Sequence, residues 1–172
     1  MSEGTGIPVV SIVGKSDSGK TTLMERVIRA LTERGYRVAS VKHHVHDFDI
    51  DIPGKDSWRH AHAGAAVSLV SSPSKLGMVR SMDHEASLDE LLALVPDVGI
   101  LLTEGYRRAG DVRIEVSRRG RSTELVCEPH ELFALVTDNG ELEVGDVPVF
   151  DLDDAEGLSD LIEATFLKGG RP

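Results

Sequence analysis

Residues Gly14-Lys15-Ser16-Asp17-Ser18-Gly19-Lys20-Thr21 follow the pattern G-x-x-x-x-G-K-[ST], between the apolar run Val9-Val10-Ser11-Ile12-Val13 and a helical pattern. Few folds accept that succession. A strand, a glycine-rich loop and a helix in direct sequence gather backbone N–H groups and the positive end of a helix around one small anion. The spacing predicts a phosphate cradle from Gly14 through Lys15, Ser16, Asp17, Ser18, Gly19, Lys20 and Thr21 to Thr22. Within it Lys20 is expected to reach the β- and γ-phosphates of a nucleotide, and Thr21 to offer its hydroxyl to Mg²⁺.

The periodicity downstream extends this unit into an α/β fold. Leu23, Val27, Ala30 and Leu31 share one helical face, Gly35 stands where a C-terminal cap belongs, and Val38–Lys42 reads as the second strand. A short helix is expected from Ser57 to about Ala63, capped by Asp56, followed by two strands, Ala66–Val70 and Leu76–Arg80. Ser87-Leu88-Asp89-Glu90 opens another helix as a capping box, and Val98–Thr103 is the continuous apolar run of a strand covered on both faces. Val112–Ser117 and Thr123–Cys127 are expected to pair through the Arg118–Arg121 turn. Strands at Leu132–Thr137 and Pro148–Leu152 then lead to a last helix around Ala155–Phe166. The fold class is a P-loop NTPase-type α/β fold: a mostly parallel sheet flanked by helices, with an additional antiparallel strand region. With 172 residues, 40% hydrophobic and 28% charged, one nucleotide-binding domain over residues 1–172 accounts for the chain.

A phosphate loop needs a carboxylate at the C-terminal end of a neighbouring strand, because ligands of parallel sheets lie outside those ends. Glu104 is in that place and is the second expected metal residue beside Thr21; Asp97 belongs to the opposite edge. The segment from His43 to Ser57 leaves the second strand on the same side. Asp49 and Asp51, aimed alike by alternation, are the candidates to hold metal-bound water or orient an attacking one. Lys55 is a candidate phosphate contact, with a solvated lysine as the competing explanation. His43, His44 and His46 suit an anion, loop hydrogen bonds or, alternatively, a transition metal. Lys15 occupies the place of a second lysine that crosses to a partner's nucleotide in some dimeric ATPases, although the glycines that follow in that variant are absent here and a solvated lysine is the competing explanation. Asp138, in Thr137-Asp138-Asn139, is the candidate base reader, although Asp-Asn-Gly is also good turn chemistry.

Charge narrows the classes further. A net charge of −10 argues against a general nucleic-acid binder, and no apolar run is long enough to span a bilayer. The single cysteine, Cys127, and the lack of a signal-peptide pattern predict a cytoplasmic location. Arg107, Arg108, Arg113, Arg118, Arg119 and Arg121 crowd one segment, whereas residues 122–167 contain no Lys or Arg. Such polarity orients an anionic ligand or a protein partner, with Arg107 and Arg108 as forked contacts.

The loop Gly14–Thr21, the stretch Lys42-His43-His44 through Asp49, Pro53-Gly54-Lys55-Asp56-Ser57 and Thr103-Glu104-Gly105-Tyr106 together resemble the MobB family of molybdopterin-guanine dinucleotide biosynthesis adapter proteins. The resemblance extends over nearly the whole chain, including Ile114-Glu115-Val116 and the approach Pro148–Asp154 to the last helix. It implies a GTP-binding protein with Mg²⁺, at most a slow GTPase, that acts with the molybdenum cofactor guanylyltransferase and can meet molybdopterin. It also implies a homodimer whose subunits extend a common sheet. A complete Asn-Lys-x-Asp guanine motif is missing, so base preference rests on the resemblance. A small-molecule P-loop kinase and a metal-delivery GTPase are the alternatives.

Overall fold

The computed structural model describes residues 6–43, 48, 50–106 and 112–168. The chain divides into two compact units, residues 1–43 with 88–172, and residues 44–87. The first unit is built on a six-stranded sheet in the order β2-β5-β1-β6-β7-β8. Its strands are β1 (Val9–Val13), β2 (Val38–Lys42), β5 (Ile100–Glu104), β6 (Val112–Ser117), β7 (Leu132–Thr137) and β8 (Val149–Phe150). All five pairings are parallel. β1 and β5 are buried at every position, as strands covered on both faces must be.

Alternate residues of these strands feed separate cores. Val10, Ile12, Ile100, Leu102, Ile114, Val116, Ala134 and Val136 pack with helices α1 (Lys20–Glu33) and α4 (Ala155–Ile162). On the other face Val9 and Leu101 meet Leu92 of α3 (Leu88–Ala93), while Leu132, Leu135 and Val144 meet Leu125 and Cys127. The helical spacing of Leu23, Val27, Ala30 and Leu31 is the buried stripe of α1, joined by Met24. That helix ends in a Schellman turn. Gly35 takes a φ of 91°, its N–H donates to Thr32 at 2.9 Å, and the Tyr36 N–H donates to Leu31 at 3.1 Å.

Arg34, at the end of α1, ties the helix to the last element. Its guanidinium contacts Glu156 at 2.7 Å, Asp160 at 2.8 Å and Glu163 at 3.0 Å, and Tyr36 donates to Glu163 at 3.0 Å. The Glu156 hydrogen bond leads the causes that raise the pKa of Arg34 above its ordinary value, so the group stays charged. Arg34→Ala should lower unfolding free energy by roughly 1 kcal/mol, since two of its three acidic partners, Glu156 and Asp160, are exposed, whereas Glu163 is largely buried. Urea unfolding at low and high salt checks this: the deficit should shrink with salt.

The second unit carries α2 (Asp56–His62) and the antiparallel ribbon of β3 (Val67–Ser71) and β4 (Leu76–Arg80). Ser68 is its buried position among the described residues and donates to the Ser57 carbonyl at 3.1 Å. Trp58 stacks on His62 with ring centroids 3.6 Å apart.

Two expectations are corrected. Thr123–Cys127 forms no strand and β6 does not turn back on it; β6 pairs in parallel with β1 and β7. The reason is Glu115, buried in mid-strand, whose carboxylate accepts from the N–H groups of Val126 at 2.7 Å and Cys127 at 2.9 Å. A side chain takes the donors that a ladder would have used. Asp56 does not cap α2 either. Lys55 is the cap residue, without a side-chain bond, and Asp56 is the first helical residue, 3.8 Å from Arg59.

Candidate functional site: the phosphate loop and its acidic partner

The loop leaves the C-terminal end of β1 and is braced by the neighbouring strand. Gly14 has a φ of 144°, and a Cβ there would overlap the Val116 carbonyl oxygen of β6. Only glycine lets β1 turn so close to another backbone. Asp17 adopts a φ of 58°, uncommon for a residue with a side chain, and its carboxylate lies 3.6 Å from Arg121. Gly19 is the N-cap of α1, which has no side-chain cap bond and no acidic residue in its first turn. The helix thus brings no side-chain cap and no carboxylate of its own to its positive end.

Two further features suit a phosphate. The Ser18 hydroxyl is buried with no partner among the described residues, an arrangement that calls for an external group. Lys20 Nζ donates to the Lys15 carbonyl at 2.8 Å and so spans the loop it is expected to serve. Lys15 turns elsewhere within the same chain, donating to Ser122 Oγ at 2.6 Å with Glu124 at 3.8 Å.

The parallel register sets the acidic side. Ile12 of β1 and Lys42 of β2 both lie opposite Glu104 at the end of β5. Thr21 Oγ1 stands 3.0 Å from both Glu104 carboxylate oxygens, and Lys42 Nζ stands 3.4 Å from one of them. A hydroxyl and a carboxylate in contact beside a phosphate cradle form an all-oxygen donor set, which fits Mg²⁺ and its retained waters. The same strand ends are joined by the His43 N–H donating to the Glu104 carbonyl at 2.9 Å and by the His43 ring beside Tyr106, centroids 4.7 Å apart.

The profile of the family described as molybdopterin guanine dinucleotide synthesis protein B, MobB, matches residues 9–138. The chain belongs to the MobB family. The molybdopterin-guanine dinucleotide biosynthesis adapter protein of Escherichia coli (strain K12) is 36% identical over 169 residues, covering 94% of this chain and 95% of that protein. A crystal structure of molybdopterin-guanine biosynthesis protein B superposes with a TM-score of 0.70 at 32% identity, covering 92% of this chain and 98% of the other. Bacillus subtilis MobB superposes with a TM-score of 0.75 at 28% identity, with 93% and 98% covered.

In this MobB chain the remaining expected residues are distributed as follows. Asp51 lies in the second unit, where Oδ1 accepts from Ile52 N–H and Ser57 Oγ, each at 2.9 Å, and so organises the approach to α2. Lys55 is exposed at the start of that helix. Asp138 accepts from the Arg119 N–H at 2.6 Å, and the buried Asn139 accepts from the Glu141 N–H at 3.2 Å. His44, His46, Asp49, Arg107 and Arg108 lie outside the described residues. Sequence reasoning did not single out Lys42 as a side chain that shapes the site, nor Glu115 as the tether of Val126 and Cys127. For Lys42 a signal existed: it ends a strand at the nucleotide edge, as Glu104 does.

Proposed function

We propose that this MobB chain is a GTP-binding adapter of molybdopterin-guanine dinucleotide biosynthesis, acting with the enzyme that transfers the guanylyl group. The observation that carries the nucleotide part is the Thr21–Glu104 contact at the mouth of an uncapped, glycine-braced phosphate loop. Residues 14–22 hold the phosphates, with Lys20 moving from the Lys15 carbonyl to the β/γ oxygens, and Ser18 satisfied by the ligand. Thr21 and Glu104 hold Mg²⁺ directly or through water. The ion neutralises phosphate charge when bound. Asp138, beyond the end of β7 with one carboxylate oxygen on the Arg119 amide, is the proposed base reader.

Membership of the family supports the adapter role, and the relatives' names give the pathway. GTP is held and presented, with hydrolysis slow at most; Asp49 and Asp51 are the proposed water-orienting residues. His43, His44, His46, Lys55, Arg107 and Arg108 form the proposed anion and partner contacts, with molybdopterin as a candidate ligand. A cytoplasmic homodimer is the proposed working form; no helix among the described residues is long and apolar enough to cross a membrane.

A pull-down with the full chain as bait, under conditions that preserve weak complexes, tests the adapter reading. It should recover the guanylyl-transferring enzyme or molybdopterin. Recovery of neither overturns the reading.

A further inference from the structure

The geometry points to Lys42 as a resident counter-ion for Glu104, one that sets how strongly nucleotide affinity depends on Mg²⁺; this rests on the GTP–Mg²⁺ reading of the site. The parallel pairing of β2 with β5 puts Lys42 opposite Glu104, and Nζ reaches Oε1 at 3.4 Å. The carboxylate it meets is the one that Thr21 contacts through both oxygens at 3.0 Å.

The two partners differ in exposure, and the difference assigns their roles. The Glu104 side chain is 9% exposed, so its charge has lost most of its hydration, whereas Lys42 is 53% exposed. A buried carboxylate needs a compensating charge, and Thr21 supplies only a neutral donor. Lys42 supplies the charge in the metal-free protein and, being half in water, can swing aside at little cost. When Mg²⁺ arrives, two cations compete for one carboxylate, and the ammonium blunts what the metal gains. Without Lys42, a metal-free site sets an uncompensated Glu104 against a polyphosphate, and like charges repel. Lys42 thus makes binding of the bare nucleotide tolerable and the advantage of the metal complex moderate.

Calorimetry with a non-hydrolysable GTP analogue, in Mg²⁺ and in EDTA, measures this directly. Lys42→Met keeps the length and removes the charge; the ratio of affinities with and without Mg²⁺ should rise about tenfold, mostly through weaker binding in EDTA. Lys42→Arg should hold the ratio within about twofold of the parent chain. The double variant Lys42→Met/Glu104→Gln, which removes both charges, should recover the parent's affinity in EDTA, and it serves as the readout if Lys42→Met alone does not fold. An unchanged ratio in Lys42→Met, Lys42→Arg behaving as Lys42→Met, or no recovery in the double variant overturns the role of Lys42. Failure of the parent chain to bind the analogue in either buffer overturns the nucleotide reading itself, and this role with it.

Discussion

Lys20→Ala is expected to weaken GTP binding by about a hundredfold or more, because an ammonium aimed at two phosphate groups contributes charge-assisted hydrogen bonds of about 1.5–3 kcal/mol each. The fold should survive. Lys20 opens α1 at the rim of the loop, and its bond to the Lys15 carbonyl stays within the loop segment. The buried stripe of the helix, from Leu23 to Leu31, is untouched. Calorimetric titration together with thermal unfolding separates the two effects: lost affinity with an unchanged midpoint is the expected pair. Affinity equal to that of the parent chain would remove the phosphate loop from the function.

Gly14→Ala should instead damage both fold and site. The added methyl has nowhere to go, since the Val116 carbonyl oxygen of β6 blocks it and Ser18 Oγ lies 2.9 Å away. Its φ of 144° is also one that alanine rarely adopts. Relief requires β1 and β6 to separate at their phosphate ends, and the expected loss of stability is about 3 kcal/mol or more. Gly120→Ala is the matched control, because nothing lies within 4 Å of a Cβ there and its φ is not strained. Chemical denaturation of the two variants should show a large fall for the first and little change for the second. Equal stability would mean that the close approach of Gly14 to β6 is not a feature of the folded protein in solution.

Much of the sheet could be read from the chain, for identifiable reasons. β1 and β5 announce themselves because strands covered on both faces are apolar throughout, and α1 because its buried positions recur at helical spacing. Glu104 was legible from a positional rule about strand ends. Thr123–Cys127 was misread because Leu125 and Cys127 do face apolar neighbours, as alternating strand residues would. What separates a strand from a tethered loop here is the partner of two N–H groups, and that partner, Glu115, lies on another element. Lys42 escaped for a similar reason. Its place at a strand end was visible, but its meeting with Glu104 depends on register between β2 and β5, which are far apart in the chain and joined only in the sheet. Asp56 was misplaced by one residue, within the usual uncertainty of helix ends.

On the proposed nucleotide-binding reading, the strand order also fixes when the ligand can take part in the life of the chain. β1 and the phosphate loop emerge before β5 and β6, yet β1 pairs with those two strands, and the Ser11–Thr103 hydrogen bond spans 92 positions. Until those strands leave the ribosome, the loop has no neighbouring backbone to brace Gly14 and no Glu104 to face Thr21. GTP therefore cannot template the early fold. On the proposed GTP-binding reading it would meet a nearly complete sheet, and by binding that form alone it would stabilise the folded state.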